Sequence, residues 1–276
     1  MKKNSFISGT IISTISIVLV KMMGMLYVIP FYSIVGSQGG ALYSYAYQLY
    51  LLFLGVSSAG IPNAISKVIS EYNSTGKLEA KTRAFHVGKK IISYISIAAF
   101  ALLFIFAEEL ATLYLGKITG GNTPEDAAFV IRCVSFAVLI IPHLSVTKGY
   151  LQGHQVFEPS SVANLLEQIV RIFIILVGSF LAYKVFNSSL SLAVGIAVSG
   201  AFFGGLVAYL YLRRKIKKYS KELDLDKELK KDNVTNKEIT KKIISYAVPF
   251  VIINIVVDIY NIIDSVLILN TLTSLG

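Results

Sequence analysis

Seven apolar stretches, near residues 5–33, 41–70, 88–115, 125–150, 160–184, 189–213 and 241–270, are each long enough to cross a bilayer. A hydrocarbon core of about 30 Å needs roughly 20 apolar residues in helical form, so each stretch predicts a spanning helix. Composition agrees: 54% of residues are hydrophobic and 15% charged, against about a quarter charged in a soluble domain. The expected fold class is an all-α polytopic membrane protein. The opening "MKKNSFISGTIISTISIVLVKMMGMLYVIPFY" has a basic lead and an apolar run. That run is longer than the roughly 7–15 residues of a signal-peptide core, and it lacks a clear small-residue cleavage site. It is expected to remain as the first span.

The net charge of +10 is gathered in alternate loops. Lys2 and Lys3 precede the first span, Lys77 to Lys90 hold five basic residues after the second, and Lys148 follows the fourth. The intervening loops are nearly bare: "SIVGSQGGA" has no basic residue, and the other two hold only Lys117 and Lys184. This alternation predicts a multi-pass protein of the cell membrane with a cytoplasmic N-terminus. It accounts for the basic charge without nucleic acid. The densest cluster, 213–242, has twelve basic and six acidic residues. Its expected partner is anionic lipid, at about 1 kcal/mol per basic residue near the surface; a solvated loop that only fixes topology is the other reading.

Helix ends are written locally. In "NTPEDAAF", Thr123 is an N-cap, Pro124 the first helical residue, and Thr123 with Asp126 has capping-box spacing. Pro159 in "FEPSS" opens the fifth span in the same way. Gly55, Gly60 and Pro62 interrupt the second. Gly195 with Ser199, and Gly200 with Gly204, are pairs of small residues that let helix backbones approach closely.

Charges within spans cost about 2.5–3.5 kcal/mol each on insertion scales and usually face a bundle interior or a water-filled cavity. Thr10, Thr14 and Lys21 share a face of the first span. Lys21 is read as a cationic contact inside a cavity or as an ion pair holding helices together. Tyr43, Tyr47 and Tyr50 follow helical spacing and suggest an interfacial aromatic belt, with substrate stacking as the other reading. Lys67 and Glu71 have the spacing of a helix pair, and Glu108 and Glu109 suit an interface. Arg132 either snorkels outward or meets an anionic substrate.

Glu167 and Arg171 are four residues apart with the acid first, the favourable order for a helix ion pair. Since a buried pair is often no more stable than an apolar substitute, a polar route through the bundle is the better reason for their presence. In the seventh span Asn254, Asp258, Asn261 and Ser265 lie at offsets 0, 4, 7 and 11, with Asp264 beside them. That stripe suits protons, cations or sugar hydroxyls, or else hydrogen bonds between helices. The single cysteine, Cys133, permits no intrachain disulfide and reads as a packing residue. His154 has no second metal-type ligand at a convincing spacing. The sequence has no Walker loop, dinucleotide fingerprint, HExxH or paired-cysteine motif. The chain is therefore expected to be no enzyme, with no cofactor and no metal.

Three segments carry a resemblance. "KMMGMLYVIPFYSIVGSQGGALYSYAYQLYLLFLGVSSAGIPNAISKVISEYN" resembles the first two spans of the stage V sporulation protein B and lipid II flippase group, within the multidrug/oligosaccharidyl-lipid/polysaccharide exporter superfamily. "KGYLQGHQVFEPSSVANLLEQIVRI" is similar to its segment between spans four and five, and "VPF…DIYNIIDS" to the opening of its seventh. The resemblance implies two six-helix lobes around a cavity open alternately to either side. Residues 1–213 would be the first lobe, 214–240 the linker, and 241–276 the start of a second lobe, supplied in cis or in trans. It implies translocation of a lipid-linked oligosaccharide or peptidoglycan precursor of the undecaprenyl-pyrophosphate type. Lys21 would face the pyrophosphate, where such proteins commonly have arginine, with Arg132 and Arg171 as helpers. Glu167 and Arg171 match an "EQ…R" pattern, and the sugars would meet Asn254, Asp258, Asn261 and Asp264. A cation-coupled drug exporter and a non-transporting scaffold for envelope synthesis are the alternatives.

Overall fold

The computed structural model describes residues 3–58, 60–115, 121–219 and 232–275; within these, the side chains of 3–10, 56–57, 114–115, 258, 261–262, 265–266 and 268–275 fall outside the description. Every regular element among the described residues is helical. In chain order these are α1 (Lys3–Leu26), α2 (Val28–Ser58), α3 (Ile61–Ser74), α4 (Leu78–Ile105), α5 (Ala107–Leu115), α6 (Pro124–Gly153), α7 (Glu158–Phe173), α8 (Leu190–Lys218) and α9 (Asn236–Leu275). α7 runs on through π turns at Ile174–Gly178 and Leu181–Val185.

Among the described residues, six stretches are long and apolar enough to cross a membrane. The first, Ile11–Gly55, overlaps both of the first two expected spans. As a straight helix its 45 residues would reach about 68 Å, over twice the hydrocarbon thickness. It does not run straight, because Gly36 breaks it at φ 69°, a left-handed conformation that a side chain would oppose. Before the break, Ser13 hydrogen-bonds Ser161 at the start of α7. Beside it, Asn122 Nδ2 donates to the Gln38 carbonyl at 2.9 Å, at the start of α6 and the opposite end of the bundle. Beyond it the chain returns, and Pro62 lies against Gly149 near the end of α6.

α6 is apolar nearly all round, as a central helix must be. It packs against α8, α2, α4 and α3. Its start has the expected cap: Thr123 Oγ1 accepts from the Asp126 N–H at 3.1 Å, and Asp126 accepts back from the Thr123 N–H. On α8 the Gly200 and Gly204 pair meets backbone, whereas Gly195 meets the Phe129 and Cys133 side chains. A Cβ at Gly204 would lie 2.5 Å from the Glu167 carbonyl oxygen, and one at Gly200 2.9 Å from that of Arg171. Large apolar side chains such as Ile15, Met25, Ile97 and Phe173 are exposed on the outside, the surface that a multi-pass membrane protein presents to lipid.

α9 is tied to the rest at one end. Asp232 Oδ2 accepts the Ala80 N–H at 2.6 Å, and Arg83 Nη2 pairs with Asp232 Oδ1 at 2.7 Å. The expected Lys67–Glu71 pair gives way to contacts with α9. Glu71 is bound by Lys242, and Lys67 lies 4.0 Å over the Tyr246 ring. Where α9 crosses α3, a Cβ on Gly60 would come within 2.3 Å of the Ala247 carbonyl oxygen, so only glycine fits. None of the described side chains after Ala247 is buried. The middle of the basic cluster, 220–231, and Lys117 lie outside the described residues.

Candidate functional site

A hollow of about 300 Å³ opens between α1, α6 and α7. Each helix contributes a stripe at helical spacing: Ile17, Val20 and Lys21 from α1, Ser145 and Lys148 from α6, and Asn164, Glu167 and Gln168 from α7. Ile17, Val20 and Ile141 give it an apolar wall. Lys148 Nζ donates to Glu167 Oε2 at 3.0 Å, with side chains 16% and 21% exposed. Lys21 is exposed and has no hydrogen-bond or ion-pair partner among the described residues. One lysine is thus paired and one is free, leaving the hollow with one net positive charge.

A second hollow of about 280 Å³ adjoins the first, because Ile141 and Ser145 line both. Its far side is Leu51, Leu54 and Ser58 of α2 and Asn254 of α9. Lys21 and Glu167 thus line one hollow and Asn254 its neighbour, with Ile141 and Ser145 of α6 between them. A larger polar groove of about 490 Å³ runs along α3 at the end where α9 is tied. Its Lys67 and Glu71 are already engaged by Tyr246 and Lys242.

Other sequence candidates lie elsewhere. Arg171 does not form the anticipated helix pair, because Lys148 holds Glu167. Its guanidinium sits 4.9 Å from the Tyr47 ring centroid, within a row in which Tyr43–Tyr47 and Tyr47–Tyr50 centroids are 5.6 and 5.3 Å apart. Tyr43 and Tyr50 are buried, so these rings form an internal cation–π and stacking layer in place of an interfacial belt. Arg132 pairs with Glu108 at 2.8 Å on the bundle surface, away from the hollow. Asn254 bonds back to the Phe250 carbonyl at 2.7 Å, and Asp264 is exposed. The side chains of Asp258 and Asn261 lie outside the described residues.

The sequence signature of the family described as polysaccharide biosynthesis protein matches residues 6–276. The chain belongs to this family. Among curated relatives of this family member, the lipid II flippase MurJ of Bacillus subtilis (strain 168) is 37% identical over 95% of this chain and 49% of its own length. Stage V sporulation protein B of the same organism is 26% identical over 90% of this chain and 46% of its own. The chain thus spans about half the length of the curated relatives it matches. A MOP superfamily transporter from Pyrococcus furiosus superposes with a TM-score of 0.68 at 14% identity, over 89% of this chain and 52% of that one. An outward-facing multidrug resistance MATE transporter superposes with a TM-score of 0.64 at 15% identity, over the same shares. At such identities the likeness establishes the fold of a MOP-type transporter over half its length, and nothing about cargo.

Lys148 is the residue of this family member that sequence reasoning passed over, taking it as a loop charge. α6 runs on to Gly153, which carries Lys148 inside the helix. The signal was its spacing from Ser145 and Ile141, which places all three on one face.

Proposed function

We propose that this chain is part of a translocator that moves a lipid-linked oligosaccharide or peptidoglycan precursor across the cell membrane by alternating access, and that it catalyses no reaction. The observation that carries this reading is the hollow between α1, α6 and α7: a free lysine and a lysine–glutamate pair beside an apolar wall, inside a lipid-facing bundle. An anionic headgroup on a greasy tail needs both surfaces together. The relative named as a lipid II flippase supports the same class of cargo. Lys21 contacts the pyrophosphate, and Asn254, with the Asp258, Asn261 and Asp264 face of α9, is offered to sugar hydroxyls. Arg171 holds α7 to α2 through Tyr47, and Arg132 steadies one end of the bundle through Glu108; neither needs to touch cargo.

In this reading residues 1–213 form a first lobe, 214–240 a basic linker against anionic lipid, and 241–276 the start of a second lobe supplied in cis or in trans. The exposed length of α9 is then the surface that the second lobe covers. The basic end faces the cytoplasm, as the charge asymmetry requires.

The test is reconstitution of the full-length protein into vesicles with a pyrophosphate-linked precursor on one face. Movement of the precursor to the other face, and rescue of a flippase-depleted bacterium, are expected. Efflux of cationic drugs without precursor movement would reassign the protein as an exporter. Rescue that survives loss of Lys21 but not of 214–240 would make it a scaffold.

A further inference from the structure

The Lys148–Glu167 pair raises a question that stability does not answer. It is half-hidden, spans two consecutive helices, and lies in the wall of the hollow that holds the unpaired Lys21. A partly buried ion pair contributes little net stability over an apolar contact. Placed here, it keeps a second cation in the hollow while masking its charge.

We propose that Lys148 is a second anion ligand and that Glu167 is its displaceable counter-ion. When a phosphate-bearing headgroup enters, its oxygens take the Lys148 ammonium from the Glu167 carboxylate, and Lys21 binds the same headgroup from α1. No covalent bond changes; one charge-assisted hydrogen bond replaces another. Glu167 thereby limits how tightly the anion is held, and on release it re-forms the pair. A translocator needs that ceiling, since cargo bound too tightly does not leave. Two lysines on different helices also favour a diphosphate over a single phosphate, because the longer anion carries more charge and can turn one phosphate toward each. Asn164 and Gln168, on the same face of α7, supply neutral donors beside the pair.

This inference rests on the reading of the hollow as a headgroup site, and its test does not need transport. Purified protein in nanodiscs is titrated with inorganic pyrophosphate and, separately, with orthophosphate. Glu167→Gln is expected to bind pyrophosphate about tenfold more tightly than the unaltered protein, and Lys148→Gln about tenfold more weakly. The preference for pyrophosphate over orthophosphate falls in Lys148→Gln. Unchanged or weaker binding by Glu167→Gln would overturn the proposal. Should either single variant fail to fold, the exchange Lys148→Glu with Glu167→Lys keeps the pair and decides the matter. Pyrophosphate affinity within a few-fold of the unaltered protein supports the proposal, and loss of binding overturns it. Binding shifts as expected with no precursor movement in vesicles would remove the proposed function and leave the counter-ion exchange standing. Precursor movement with no binding shift would do the reverse.

Discussion

Replacing Lys21 by alanine lowers precursor movement by the full-length protein about 10- to 100-fold, the size of one lost hydrogen bond to a charged group. The amount of protein in the membrane stays the same. Both halves follow from where Lys21 sits. Its side chain lines the hollow and is exposed, with no partner among the described residues, so its loss opens no packing defect and strands no buried acid. Lys21→Arg keeps the charge and adds a planar fork suited to phosphate; it retains movement within a few-fold or improves it. Initial rates in vesicles, normalised to protein reconstituted, measure the effect. Equal rates for Lys21→Ala and the unaltered protein would remove this lysine from the pathway.

The second large effect is structural. Gly204→Val destabilises the bundle by about 3 kcal/mol or more, the upper range for overpacking. The new Cβ would stand 2.5 Å from the Glu167 carbonyl oxygen. Backbone cannot swing aside as a side-chain tip can, so α7 must move off α8. That shift draws Glu167 away from Lys148 and Arg171 away from Tyr47 together, and transport falls along with stability. In detergent the midpoint of thermal unfolding drops by roughly 5–10 °C. The neighbouring Phe203 is 46% exposed on the outside of the same helix, so Phe203→Ala shifts stability by less than about 0.5 kcal/mol. Equal effects of the two substitutions would contradict the close α7–α8 packing.

Sequence reasoning reached the helices because membrane spans are specified locally, by length and apolarity. The cap at Thr123, the proline in the first turn of α7, the break near Gly60 and the Gly200–Gly204 pair of α8 are local as well, and they stand where they were expected; Gly195 instead meets the Phe129 and Cys133 side chains. Boundaries shifted where tertiary burial outruns the membrane. α4 begins at Leu78, ten residues before the apolar run, because Ala80, Lys81 and Ala84 are buried.

Side-chain partners were legible less often. Glu167 has Arg171 one turn away, yet it pairs with Lys148, 19 residues back, because the 154–157 turn folds α7 beside α6. Glu71 likewise passes over Lys67 for Lys242. In both cases a contact across helices outcompetes the local one, and periodicity within one helix carries no information about which helix lies alongside. The tyrosines of α2 illustrate the same limit: their spacing was evident, but only the fold turns them inward against Arg171.

The central claim is that the hollow between α1, α6 and α7 is a water-accessible space with net positive charge. Cysteine labelling tests it most directly, because the chain has a single native cysteine to remove. In a Cys133→Ser background, Ser145→Cys and Asn164→Cys are exposed to membrane-impermeant thiosulfonates, one anionic and one cationic. Ile97→Cys, on the outer apolar surface, serves as the reference. Both hollow positions are expected to label faster than position 97, with the anionic reagent outpacing the cationic one there and pyrophosphate slowing it. Labelling at 145 and 164 as slow as at 97, or faster with the cationic reagent, would contradict the claim.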